Sequence, residues 1–275
     1  MAEGERNIRV EDSKGNSLGN NALIKDHREQ GALTFSNDGS ICFVRGSAEE
    51  GDDGYEIYDN NGILLAGEDN PKGSVHHIFF SPDDQYIGFG LGEKLILLNR
   101  NGQKVFEYKL EALNKKLGPR IEQFGFSKDG KKIIILSRTN LIVLDTDGNV
   151  LSKASLPKPV FGDLHFLLLN NDQIVLSDIT RIWVANFQGQ LKLVKQSGGV
   201  TDFSHRSTGF SGFDIVDGNI VVSVWNKVGD GSIVLINQNG DILDTRQISS
   251  PGGITAKGNY LSIFGKDHLD IFKTE

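Results

Sequence analysis

Six histidines, His27, His76, His77, His165, His205 and His268, are the residues of this chain best suited to chemistry near neutral pH. An imidazole can hold a metal ion, move a proton or pair with an anion. Counted back from the turns that follow them, His77, Gln123 and His165 take one equivalent position in three separate strands, and Asp214 falls close to it in a fourth. His76 directly precedes His77. Arg120, Asp163, Asp202, His205 and Arg206 lie shortly before such strands, and Trp225 opens a later connection. These types together describe a mixed His/Asp/Arg rim that suits a small anion, a metal ion or a partner's side chain. As a metal centre it lacks the short, fixed ligand spacing of a zinc site. The plainer reading is that such groups satisfy one another around ordered water.

Other tempting stretches carry less. DTDGN over Asp145–Asn149 has the acids of a calcium loop, but Gly148 comes too early for an EF-hand, and the same turn recurs without acids as NFQG. The run Glu49, Glu50, Asp52 and Asp53 would bind Ca²⁺ loosely and reads more simply as a solvated loop. No other cofactor is expected. GFSGF over 209–213 lacks the strand, elbow and helix of a hydrolase nucleophile. The single cysteine, Cys42, sits inside ICFV; it can form no internal disulfide and reads as a buried strand residue. Walker loops, zinc helices and dinucleotide fingerprints are missing from the sequence.

Something must position the candidate rim, and two families of segments recur to do so. The first is a hairpin whose turns fall at Asp38-Gly39, Asp83-Asp84, Asp129-Gly130, Asn171-Asp172, Asp217-Gly218 and Lys257-Gly258. The second is a strand ending in Asp or Asn, with Gly three residues later. Its Asx residues are Asp12, Asp59, Asn99, Asp145, Asn186 and Asn237, at spacings of 47, 40, 46, 41 and 51. An Asx side chain caps such a turn and Gly supplies its left-handed residue. One period therefore reads as four short antiparallel strands, which is the signature of a propeller blade. The expected fold is all-β: a six-bladed β-propeller of four-stranded blades forming one domain over 1–275. Leu269–Lys273 is expected as the third strand of the last blade, with the segment around Ile8–Val10 closing the ring. YKLEALNKKL over Tyr108–Leu117 is the best stretch for a short helix.

The segments FSNDG, FSPDD and FSKDG, with strand-turn units such as IVLDTDGNVL, resemble the WD40-like, TolB-like and YVTN-like propellers. The resemblance covers almost the whole chain and implies the fold. The repeats lack the Trp-Asp dipeptide and Gly-His pair of a true WD40 blade, and the Trp docking motif of quinone-dependent dehydrogenases. The partners of those families therefore do not carry over.

In this architecture one edge of the blades carries the repeated tight turns. The other carries longer connections, expected at 194–212, 108–121, 46–54 and 225–231, and the histidines gather on that side. Variable loops on a rigid scaffold are where binding concentrates. The expected function is a non-catalytic binding or scaffolding propeller that engages a protein, peptide or glycan, with Phe203, Phe210 and Trp225 as apolar contacts. The competing expectation is a propeller enzyme: a metal-assisted hydrolase, a lactonase or a lyase. The net charge, 29 − 36 = −7, argues against a nucleic-acid partner. No apolar run has the length of a membrane span. The opening MAEGERNIRV lacks a signal-peptide core, so the chain is cytoplasmic or has lost a leader; export is the favoured expectation. A monomer, or a place in a larger assembly, is expected.

Overall fold

The computed structural model describes residues 32–45, 54–68, 73–111, 121–156, 165–168, 173–178, 181–196, 208–216, 218–226, 230–237, 239, 241–249, 251–257, 260–265 and 269–273. Among the described residues, six sheets follow one another along the chain. The first holds β1 (Ala32–Phe35), β2 (Ile41–Arg45), β3 (Tyr55–Asp59) and β4 (Leu64–Glu68), and the second β5 (Val75–Phe80), β6 (Tyr86–Leu91), β7 (Lys94–Asn99) and β8 (Lys104–Lys109). The third holds β9 (Ile121–Phe126), β10 (Lys132–Ser137), β11 (Asn140–Asp145) and β12 (Val150–Ser155), and the fourth β13 (His165–Leu168), β14 (Gln173–Ser177), β15 (Arg181–Asn186) and β16 (Leu191–Gln196). The fifth holds β17 (Thr208–Val216), β18 (Asn219–Asn226), β19 (Asp230–Ile236) and β20 (Ile242–Ser249). The last has three strands, β21 (Pro251–Lys257), β22 (Tyr260–Gly265) and β23 (Leu269–Lys273). Within each sheet the strands lie in sequence order. The chain divides into two compact units, Met1–Ser137 with Leu144–Val150, and Arg138–Val143 with Leu151–Glu275.

The FSxD segments fold as they do because of one hydroxyl. Ser36, Ser81 and Ser127 donate to Asp38, Asp83 and Asp129 at 2.8, 2.6 and 2.6 Å. Each also accepts the backbone N–H five residues on, from Ile41, Tyr86 and Lys132, at 2.9 Å. The serines are buried, so the hydroxyl replaces water for the first N–H after the turn. Between the first two sheets, buried Asp84 adds a brace: its carboxylate accepts the N–H groups of Asn37 and Asp38 at 2.9 and 2.8 Å. Arg100 reaches Asp38 at 2.9 Å.

The Asx turns are equally regular. Oδ1 of Asp59, Asn99, Asp145, Asn186 and Asn237 each accepts two backbone N–H groups, two and four residues on, at 2.8–3.1 Å. Gly148, at φ 88°, has a second reason to be glycine, since an added Cβ would stand 2.8 Å from the Phe106 ring on β8. The turn of the third sheet is thereby pressed against the outer strand of the second.

Apolar residues on both faces of the sheets close the core. Ile41, Phe43 and Ile57 of the first sheet pack with Val75, Ile87, Phe89, Ile96 and Leu98 around the second. Val175, Ile182 and Val184 pack with Ile220, Val222, Val234 and Ile236. The outer strands β8 and β12 alternate exposed with half-buried residues, as strands covered on one side do. Cys42 is buried as expected, and burial pushes its thiol up to about 11.

Several expectations need correction. Tyr108 and Lys109, expected to open a short helix, lie in β8; period-two alternation and pairs such as Lys94–Glu107 at 2.7 Å and Lys109–Glu93 at 2.6 Å hold them extended. The connection expected over 194–212 contracts to 197–207, because β16 and β17 continue into it. That of 225–231 contracts to 227–229, because Trp225 pairs with Gly231. Leu269–Lys273 is the third strand of the last sheet, as expected. Its proposed closing partner around Ile8–Val10 lies outside the described residues, as does the acidic run Glu49–Asp53.

Ser127→Ala leaves the half-buried Lys132 N–H without its side-chain acceptor and is expected to cost about 1 kcal/mol in chemical denaturation. Hydrogen bonds hold the carboxyls of Asp38, Asp83, Asp129 and Asp145 below their usual range, from Ser40, Ser81, Ser127 and Asn149 respectively as the largest cause. A depressed carboxylate contributes stability above its unfolded pKa and loses it as pH falls toward the folded one. The urea midpoint is therefore expected to stay level down to about pH 5 and to drop below about pH 4. Asp129→Asn should lower the midpoint at pH 7 and flatten that acid slope.

Candidate functional site

Pairing registers test the proposed column of channel residues directly. In β9, Gln123 pairs with Leu136, and in β13, His165 pairs with Ser177. Pairing of the second strands to the third makes Gly90, Ser177 and Ser223 equivalent, and Leu136 matches Gly90 because each lies four residues past the residue that closes its FSxD turn, Lys132 and Tyr86. Gly90 pairs with His76 rather than His77. A bulge accounts for the difference. Between His76 and Phe79 the first strand of the second sheet carries one residue more than its partner, so His77 and Ile78 together face Phe89. His76, not His77, therefore shares the register of Gln123 and His165. In the fifth sheet that register belongs to Gly212, opposite Ser223, and Asp214 lies two residues nearer the tight turn, opposite Val221.

The bulge shapes a site of its own. His77 adopts φ 50°, a left-handed conformation that a side-chain-bearing residue takes at a cost. The His76 and His77 rings meet edge to face with centroids 5.1 Å apart. His76 Nδ1 lies 3.0 Å from the Ser74 carbonyl; an acceptor there makes Nδ1 the protonated nitrogen. Its Nε2 is buried and lies 2.5 Å from where a Cβ on Gly90 would stand. Gly88 does the same for Phe124 of the third sheet, at 3.0 Å, and Phe124 in turn meets Phe79 at 5.2 Å. Two glycines in YIGFGL thus make room for an imidazole and a phenyl ring. Similar irregularities interrupt β9, β17 and β21 near the loop-bearing end.

The structure brings His76 and His77 together. Gln123 and Asp214 are half-buried on their own strands. His165 begins β13, and the backbone of Trp225 pairs with Gly209 and Gly231. Arg120, Asp163, Asp202, His205 and Arg206 lie outside the described residues, as do His27, His268 and Phe203. Among the described residues, no group of three or more His, Cys, Asp or Glu is arranged to hold a metal ion.

Sequence reasoning missed two cationic groups at the loop-bearing edge. Asp178, buried after β14, accepts from Arg181 Nε at 2.9 Å and Nη2 at 2.5 Å, while the Arg181 guanidinium lies 4.7 Å over the Trp183 ring. This clamp pins the turn from β14 to β15; the DxxR spacing beside RIWV was its visible signal. Arg45 is the second. It ends β2, half-buried, and donates through Nη1 to the Val75 carbonyl at 3.1 Å. A lone cation closing the apolar run ICFV was the sign of it.

No family model and no curated protein matches the sequence. Among solved structures the chain is similar to the dihydro-heme d1 dehydrogenase NirN in complex with DHE, at 16% identity and TM-score 0.62 over 99% of this chain and 60% of that one. It is also similar to the C-terminal WD40 domain of Sif2, at 13% identity and TM-score 0.63 over 94% of this chain and 71% of that one. The fold is that of a β-propeller. At such identities the likeness speaks for architecture alone, and this chain spans 60% of the length of the NirN chain. No helix among the described residues is long and apolar enough to cross a membrane.

Gly90→Ala should force the His76 ring out of its place over β6. Histidine side-chain NMR is expected to show the His76 ring resonances displaced, together with a loss of stability. Unmoved ring signals would remove the assigned packing.

Proposed function

We propose that this propeller is a non-catalytic binding or scaffolding protein that takes a protein, peptide or glycan ligand at its loop-bearing edge. The observation that supports this is the contrast between the two edges. At the tight-turn edge the same Ser, Asp and Asn side chains recur from sheet to sheet, each engaged by backbone N–H groups of its own turn. Repeated, internally satisfied groups offer nothing that would single out one ligand. At the opposite edge the repeat breaks down. One register position is His76, then Gln123, His165 and Gly212, and bulges re-aim the strands that carry His76, Gln123 and Gly212. Propellers host many functions, so the side chains at this edge, rather than the fold, support the reading.

Affinity capture from a native lysate tests it, comparing the wild type, His165→Ala/His205→Ala and a tight-turn control, Lys131→Ala, by quantitative mass spectrometry. A ligand retained by the control and reduced at least about tenfold by the double variant is the expected result. Identical ligand sets on all three proteins would count against the loop-bearing edge. Metal analysis of the same preparations separates the rival reading: stoichiometric Ca²⁺, Zn²⁺ or Mn²⁺, lost with the double variant, would move the protein to the metal-assisted hydrolases.

A further inference from the structure

The outer strand of the fifth sheet differs from those of the first four. β20 runs for eight residues, against five in β4 and six in β8, β12 and β16. β4, β8 and β12 each hold half-buried residues. In β20 every residue from Ile242 to Gln247 is exposed, so both faces of the strand meet water. Ile242 and Leu243 are large and apolar and still half in solvent, at 51% and 52% exposure. One side of β20 pairs with β19, and the other side ends the sheet. Such an edge carries backbone N–H and C=O groups ready to take a further strand. At Thr245 a side chain stands in for that strand: the Thr245 N–H donates to Oδ1 of Asp244 at 2.8 Å.

The side chains along this edge are self-complementary. Asp244 and Arg246 lie two residues apart on one face, and Arg246 Nε donates to Asp244 Oδ2 at 3.1 Å. A second copy of β20, turned antiparallel about a two-fold axis through Thr245, sets each Asp244 opposite an Arg246. Four charges of alternating sign then meet on one face, and the two Thr245 residues meet on the other. Opposite charges and Thr pairs are favourable cross-strand neighbours. Centring the pairing one residue earlier or later sets Asp244 against Asp244, or Arg246 against Arg246, so the charges select one register. Charges on an edge strand ordinarily keep other chains away, and here an inverted copy of the same strand answers them.

We propose that β20 pairs antiparallel with β20 of a second copy of this chain, centred on Thr245, to form a two-fold dimer. The two Thr245 residues exchange N–H···O=C bonds, and each Asp244 turns to the arginine across the axis. A bulge gives β20 one residue more than β19 between Ile242 and Asp244, and it bounds the regular edge at Leu243. The contact is therefore short, and the dimer is weak and dependent on concentration. Pairing runs along the strand rather than over its ends, so the inference is independent of the ligand reading.

Sedimentation velocity between about 5 and about 500 µM protein tests it, and the wild type is expected to move from monomer toward dimer across that range. Arg246→Asp sets Asp against Asp twice across the axis, and Asp244→Arg sets Arg against Arg twice. Each variant should weaken association about tenfold. An equimolar mixture of the two restores opposite charges at both places, so heterodimers should form with about the wild-type affinity. The pair within each strand stays broken in that mixture, which separates recognition across the axis from a local effect on β20. Hydrogen exchange at low and high protein concentration locates the contact, with added protection expected within Leu243–Gln247. A monomer throughout the range, association untouched by either variant, a mixture that stays monomeric, or added protection elsewhere would each overturn the proposal. Both side chains are exposed, so the variants are expected to fold; if one does not, the wild-type sedimentation and exchange decide.

Discussion

A four-stranded sheet with Val, Ile, Leu and Phe on both faces cannot stand in water by itself, and this single constraint organises the molecule. Burying one face leaves the other exposed, so each sheet demands a further sheet. Phe43 and Ile57 answer the second sheet from one side, while Phe79 and Phe124 join the second and third. Each repeat is thus a part that only neighbours complete, and the chain supplies such parts at intervals of 40 to 51 residues. The hydrogen-bonded turns add accuracy to this packing. They fix where each hairpin ends and hence which residues meet across a sheet boundary.

The two edges follow from the same logic. Where sheets repeat, their turns repeat, and the chemistry of Ser36, Ser81 and Ser127 is copied because each solves one local problem: the first N–H beyond a tight turn needs an acceptor. The opposite edge has no common problem to solve. Connections there differ in length, the first strands β5, β9, β17 and β21 bulge, and single residues such as Arg45 and the Asp178–Arg181 pair settle local geometry in different ways.

Strand order, the hairpin turns after β1, β5 and β9 and the Asx turns after β3, β7, β11, β15 and β19 were legible in the sequence because each depends on residues within about six positions of one another. Even the third-strand role of Leu269–Lys273 could be read from its spacing. The site was less legible. Counting back from the turn placed His77 beside Gln123 and His165, and a single extra residue in β5 gave that place to His76 instead. The residues that pack beside this bulge, Phe124 against Phe79 and Gly90 beneath His76, lie outside the local sequence of β5. Asp214 was displaced for a related reason, since the fifth hairpin turns more tightly than the FSxD turns from which the count was taken. Strand extension was missed at Trp225 and Gly231 because small and polar residues conceal a ladder that backbone pairing sustains.

Gly90 has a consequence of another kind. The volume above it is filled by the imidazole of His76, as the volume above Gly88 is filled by Phe124. Each pair behaves as one object divided between two strands: a side chain and the hollow cast to receive it. In descendants of this chain the two positions of a pair are free to change only in concert. A residue larger than glycine at 90 requires a smaller one at 76, and with that exchange the histidine is lost. The ring at position 76 is therefore inherited through a residue that has no side chain at all.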